Sequence, residues 1–304
     1  MGGGGLAERK AESGELRRRS RLFYFNPFTE SFVAGGRGFA PVRQQVMLAE
    51  DLEHLPQFFC CSGDSVLVGR RPSEAFLSGL ERAGFLVPGF VELSELEVTG
   101  EDLRVLGEFC PWGWGPDSVG VYELLLARRL EGGREAGACF NEAIGRLYSK
   151  VWSAEFLRRI IGGGECGGLG GWCCGLDEVG VGVRSVTEAL EVVGAIRGRG
   201  HHRVVVKEEY GMAGQGLVRL WEEELLPVQV RWMERALAGG HGLVVEPWLE
   251  RECDFSVQLE MGGGGLGVCG CTGLLNDHRG QFMASWVGGA GGEGLPEGVG
   301  RLME

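Results

Sequence analysis

Short apolar runs and helical stripes alternate through the first third of the chain, and turn residues separate them. Arg21-Leu-Phe-Tyr-Phe-Asn-Pro-Phe is an aromatic, strand-like run that Pro27 stops. Ser65-Val-Leu-Val predicts a second strand, and Phe85 to Val91 a third. Between them, Pro72-Ser73 starts a helix with Phe76, Leu77 and Leu80 on one face, ended by Gly84. Thr99 with Asp102 predicts a helix start running through Leu103 and Leu106. This alternation points to a small α/β domain with a mainly parallel sheet, over residues 21–135. Residues 1–20 carry glycine and charge without an apolar period and are expected to form a disordered tail.

Cys110-Pro-Trp-Gly-Trp-Gly-Pro reads as a loop, followed by helical regions over Val119 to Leu130 and Phe140 to Ile161. Gly162 to Gly182 is a glycine-dominated connection, read as a mobile loop or a boundary. Ser185 and Glu188 then form a capping box ahead of the stripe Val186, Ala189, Leu190, Val193. Arg203 to Glu209 predicts a strand and Gly211 to Gly216 a loop. Pro227 opens a helix with Val228, Trp232, Met233, Ala236 and Leu237 on one side. Leu243 to Glu246, Asp254 to Glu260 and Leu266 to Leu275 are three further strand candidates. The second half, residues 136–304, therefore reads as α+β with a mostly antiparallel sheet.

Composition narrows the partners. With 42 acidic against 30 basic residues the net charge is −12, which disfavours nucleic acid and acidic membranes. The basic run Arg17, Arg18, Arg19 and Arg21 reads as a solvated tail. No apolar stretch approaches the roughly 18 residues a membrane helix needs, and a cytoplasmic protein is expected. The 10 cysteines include no CxxC pair, so structural thiols are expected rather than a zinc centre. Cys269 and Cys271 are expected to be buried on one strand face, and His201 and His202 to be solvated. Asn26-Pro27-Phe28 and the loop aromatics Trp112 and Trp114 read first as packing. Glycine is abundant, at 56 of 304 residues, so no single glycine loop is diagnostic.

Candidate chemistry gathers in Val204-Val-Val-Lys-Glu-Glu-Tyr-Gly-Met-Ala-Gly-Gln-Gly-Leu. Strand alternation puts Lys207 on the face of Val205, opposite Val204 and Val206. A Lys beside a loop of unencumbered amides makes a phosphate site, although the segment alone reads equally well as a strand, a tight turn and an exposed Lys. Its spacing fits neither a Walker A loop nor a GxGxxG fingerprint. Downstream, Gly242-Leu-Val-Val-Glu-Pro-Trp-Leu-Glu ends an apolar strand in Glu246, and the Pro247 carbonyl and Leu249 amide can read an adenine edge.

Together, in this order, these pieces resemble the ATP-grasp family of ATP-dependent ligases, over residues 140–290. The resemblance implies a phosphate-binding Lys207 with the loop glycines Gly211, Gly214 and Gly216. It implies a hinge at Glu246-Pro247-Trp248-Leu249, and a ribose contact at Asp254. It also implies an earlier phosphate-binding lysine opening a helix, a position that Lys150 in Ser149-Lys150-Val-Trp suits. Lys150 and Lys207 are two of the only three lysines, beside 27 arginines. The implied fold is a small pre-ATP-grasp-like α/β domain followed by a partial ATP-grasp fold, incomplete at its C-terminus. The implied reaction passes the γ-phosphate of ATP to a carboxylate, and an amine (or thiol) attacks the acyl phosphate. Lys150 and Lys207 would serve catalysis by neutralising phosphate charge.

The family also implies Mg²⁺ held by two late acidic residues, the second in a Glu-x-Asn motif. No such motif follows Glu246, and the nearest substitutes are Glu260 and Asp277. Two expectations follow: a fragment ending before the metal-binding strands, which the intact earlier motifs favour, or a degenerate relative that binds nucleotide without catalysis. Small-molecule carboxylate and amine substrates are the implied partners. The acid, the nucleophile and the oligomeric state are not readable from the residues.

Overall fold

In both four-stranded sheets the β-branched and aromatic runs become strands that bury a face. The computed structural model describes residues 20–98, 106–127, 135–164, 173–211, 216–262, 265–277 and 282–287. The chain forms two compact units, residues 1–145 and 146–304.

In the first unit β1 (Ser20–Tyr24) is followed by helices α1 (Thr29–Gly35) and α2 (Arg43–Leu52). Then come β2 (Ser65–Val68), α3 (Glu74–Arg82), β3 (Gly89–Glu92), α4 (Leu93–Val98), β4 (Leu106–Pro111) and α5 (Pro116–Ala127). The strands form a sheet of order β3-β2-β1-β4, parallel throughout, as the strand–helix alternation predicts. Leu22, Leu67, Leu96, Phe109, Tyr122 and Leu125 make its core. Ser73 caps α3 by accepting from the Phe76 amide at 3.3 Å, and Gly84 ends it at φ 85°. The expected apolar face of α3 is only half covered, because Phe76 is exposed.

Several expected boundaries move. The third strand begins at Gly89 rather than Phe85, because Pro88 breaks the run and Phe85 lies exposed. Leu106 starts a strand rather than continuing a helix, since its segment pairs with β1; Thr99, Asp102 and Leu103 lie outside the described residues, as do Arg17, Arg18 and Arg19. Arg21 is no solvated tail residue: it pairs with the buried Asp64 at 2.8 Å. Asn26 is buried, bonding to the Gly113 carbonyl at 2.7 Å and accepting from the Gly113 amide. Trp114 packs on Phe109 and Tyr122, while Trp112 stays exposed beside Phe25. Short helices α6 (Ala136–Cys139) and α7 (Glu142–Arg146) close this part of the chain.

The second unit opens with α8 (Lys150–Gly162); Ser149 caps it and so breaks the single helix expected over Phe140 to Ile161. Next come β5 (Val181–Val183), α9 (Val186–Gly198), β6 (Val204–Glu208), β7 (Leu217–Leu220), α10 (Pro227–Ala238) and β8 (Leu243–Pro247). Strand β5 begins inside the glycine-rich stretch expected to be a connection. The sheet has order β5-β8-β6-β7 and is antiparallel throughout. Ala189, Val193 and Ile196 of α9 and Met233 of α10 pack on Val183, Val204, Val206, Leu220, Leu243 and Val245. Leu190 and Val228, expected on the packed stripes, are exposed.

A second antiparallel sheet, β11-β10-β9, follows from β9 (Asp254–Gly262), β10 (Gly265–Asn276) and β11 (Phe282–Val287). The last strand was not expected. Cys269 is exposed, contrary to the reading of a buried pair; a register shift between Val268 and Gly270 interrupts the alternation there.

Candidate functional site

Residues paired across antiparallel strands point the same way, so the registers of the four-stranded sheet sort its side chains into two faces. One face carries Val204, Val206, Leu220, Leu243 and Val245 beneath α9 and α10. On the other, Lys207 stands between Leu217 and Val244, and Val205 between Arg219 and Glu246. Lys207 is therefore a charge on a strand whose apolar neighbours are buried, and its ammonium pairs with the Glu246 carboxylate one step along the sheet. The two motifs found separately in sequence thus touch.

Helix α8 lies against this same face. Gly182 pairs with Val244, and a Cβ on Gly182 would stand 2.6 Å from Val151 Cγ1, so the helix approaches where the strand has no side chain. Lys150, the first residue of α8, donates its main-chain amide to the Glu209 carbonyl at 2.9 Å, and its ammonium reaches the Gly211 carbonyl. Lys150 and the start of the glycine loop are thereby joined, while Lys207 sits four residues before Gly211. At the loop's far side, Gly216 accepts from the Glu208 amide at 2.8 Å with φ 67°, a conformation that favours glycine. Gly214 lies outside the described residues.

Beneath this junction is a carboxylate that the motifs did not single out. Glu209 is buried, accepting from Ser149 Oγ at 2.7 Å and from the Gly242 amide at 2.6 Å, with Arg184 at 3.4 Å. Burial works against its charge, but those two bonds and the nearby Arg184 and His241 prevail and hold it below the ordinary glutamate value. The signal available in sequence was the period of two that puts Glu209 on the face of Lys207.

The hinge leads to a cavity of about 370 Å³. Trp248, Leu249, Arg251, Asp254, Leu274, Asn276 and Asp277 are among its walls, so the hinge and the expected ribose contact open onto one space. Pro247 is buried in register with Val204 and is not one of these walls, nor are the two lysines. Arg203 accepts the Trp248 amide on its carbonyl at 2.9 Å, and the Arg219 and Arg251 guanidinium groups lie 5.5 and 5.8 Å from the Trp248 ring. Asp254 receives Arg251 Nη1 at 3.1 Å and Asn276 Nδ2 at 2.6 Å, both on Oδ2, which leaves Oδ1 facing no partner among the described residues. Sequence reasoning noticed Asn276 only as the last asparagine. Its pairing with Asp254 across β9 and β10 was not visible.

Among the described residues, Glu260 and Asp277 do not fit a magnesium site of the expected kind. Glu260 pairs with Gly267 near the turn of the β9–β10 hairpin, whereas Asp277 follows the opposite end, where Leu274 pairs with Asp254. Six residues of strand, roughly 20 Å at about 3.3 Å each, separate these ends. Among the described residues no group of three His, Cys, Asp or Glu side chains could hold a metal ion.

No protein-family model matches the sequence, and no curated protein is significantly similar to it. Solved structures give loose similarity. N5-carboxyaminoimidazole synthetase from Staphylococcus aureus, complexed with ADP, matches over 88% of this chain and 57% of that one, at 12% identity and a TM-score of 0.41. D-alanyl-alanine synthetase A from Vibrio cholerae matches over 70% and 66%, at 13% identity and a TM-score of 0.38. D-cycloserine synthetase DcsG matches over 69% and 67%, at 13% identity and a TM-score of 0.37. The chain thus spans little more than half the length of the first of these.

Proposed function

We propose that this chain binds ATP, with Lys150, Lys207 and the amides of the Gly211–Gly216 loop on the phosphates and the Trp248–Asp254 cavity on the nucleoside. The observation that carries this reading is the pairing of Lys207 with Glu246, which ties the strand-borne lysine to the segment that continues into the nucleoside cavity. The arrangement suits a polyanion with an aromatic head: two lysines at one end, an indole wall and a carboxylate acceptor for the ribose at the other. Asp254 Oδ1 is the acceptor for a ribose hydroxyl. The Glu246 carboxylate holds the Lys207 ammonium on the sheet face.

In the same reading the chain serves an ATP-dependent carboxylate–amine ligation. A carboxylate oxygen attacks the γ-phosphorus and the bond to the β-phosphate oxygen breaks, giving an acyl phosphate and ADP. An amine then displaces phosphate to form the amide. The lysines neutralise charge on the transferring phosphoryl group, and the glycine loop covers it from water. Calorimetric titration of Mg-ATP into the wild type and Lys207→Ala tests the binding half. Wild-type binding, weakened about 10-fold or more in the variant, supports it. Equal affinities, or binding by neither, overturn it.

A further inference from the structure

Helix α8 could meet its sheet in many ways, yet Lys150 is useful only if the first turn is held against the glycine loop. We propose that Glu209 is the positioning residue that fixes Lys150 there, by clamping the first turn of α8 and the start of β8 to the end of β6. The inference rests on reading Lys150 as a phosphate-binding cation.

Four bonds converge on Glu209. Its main-chain carbonyl takes the Lys150 amide at 2.9 Å, and its own amide donates to the Gly242 carbonyl at 3.0 Å. Its Oε1 takes the Ser149 hydroxyl proton at 2.7 Å, and Oε2 the Gly242 amide at 2.6 Å. The first side-chain bond has a consequence for the helix. A serine hydroxyl has one proton; committed to Glu209, it turns its lone pairs toward the Trp152 amide, which bonds to it at 3.1 Å. Glu209 thus orients the cap of α8, and its negative charge lies at the positive end of the helix. The titratable groups facing it are Arg184 and His241, with the Tyr210 ring against His241. Every part of the clamp is local to the lysine: Ser149 precedes it, Glu209 holds its amide, and Gly211 holds its ammonium.

A glutamine at 209 keeps the shape but turns an N–H₂ toward a site where two donors converge, so one of them loses its acceptor. Because the chain has only three lysines, amine acylation followed by peptide mass spectrometry reads Lys150 and Lys207 separately. We expect Glu209→Gln to speed Lys150 acylation about five-fold while Lys207 keeps its wild-type rate. The ATP dissociation constant should rise by a similar factor, and that rise should vanish in a Lys150→Ala background. A merely structural glutamate would weaken binding equally in both backgrounds.

Unchanged Lys150 acylation, or an ATP effect that persists without Lys150, overturns the proposal. If neither protein binds ATP, the nucleotide reading falls, and the acylation ratio still decides the role of Glu209. Should Glu209→Gln not fold, Ser149→Ala removes only the hydroxyl between the carboxylate and the helix. It should accelerate Lys150 selectively, and an unaltered ratio would equally defeat the idea.

Discussion

In the proposed reading, Lys207 and Glu246 matter to nucleotide binding while contributing little to stability. Their side chains are 32% and 27% exposed, so solvent screens them, and Lys207→Ala should cost no more than about 1 kcal/mol in chemical denaturation. A larger loss would mean that the lysine holds the sheet rather than a ligand. Asp254 offers a sharper test. With Oδ2 taken by Arg251 and Asn276, a ribose hydroxyl is left to Oδ1. Asp254→Asn should weaken ATP binding about 10-fold but leave 2′,3′-dideoxy-ATP binding nearly unchanged, since the analogue makes no such bond. Equal losses for the two nucleotides would rule out the ribose contact.

In the first unit, Asp64 illustrates charge working through stability. Burial opposes its ionisation, but bonds from Arg21 and the Cys61 amide prevail and lower its pKa from the ordinary 3.8. A carboxyl with a depressed folded pKa stabilises fully above its unfolded value and loses that contribution as pH falls through the folded one. Thermal melts of wild type and Asp64→Asn should therefore differ most above about pH 4 and converge below it. A gap that widens on acidification contradicts this assignment.

At the scale of elements, the site depends on α8 reaching the sheet face that carries Lys207. Gly182 permits it, because a methyl there would overlap Val151 Cγ1. Gly182→Ala should destabilise the fold by about 1–3 kcal/mol and weaken ATP binding with it, both read in one denaturation and titration series. An alanine tolerated in both would show that the helix does not rest there. The strand carrying Lys207 was legible because three consecutive valines announce a buried strand and the period of two assigns its faces. Only the family resemblance put Ser149 at a helix start, since the apolar pattern ran one helix through it. Its bond to Glu209 was not legible, because those residues lie 60 apart in sequence and meet only when α8 folds onto the sheet. Strand β11 escaped notice for a different reason: all six of its described residues are exposed, so no burial pattern marked it.

For the whole molecule, helices between strands return the chain in the same direction, which makes the sheet of the first unit parallel. In the four-stranded sheet of the second unit, α9 and α10 do the same, the chain reverses between β6 and β7, and placing β8 between β5 and β6 leaves every neighbour antiparallel. The parallel sheet could be read from the pattern. The edges could not, as Phe85 and Leu106 show: one apolar residue looks the same ahead of a strand as within it. No described helix is long and apolar enough to cross a membrane. In the proposed reading the amines of Lys150 and Lys207 act on one triphosphate. Parallel titrations of ATP and adenosine into the wild type and the Lys150→Ala, Lys207→Ala double variant test it directly. The wild type should favour ATP over adenosine by about 100-fold or more, the double variant should lose most of that preference, and adenosine affinity should stay within about two-fold. A double variant that keeps the full preference for ATP would contradict it.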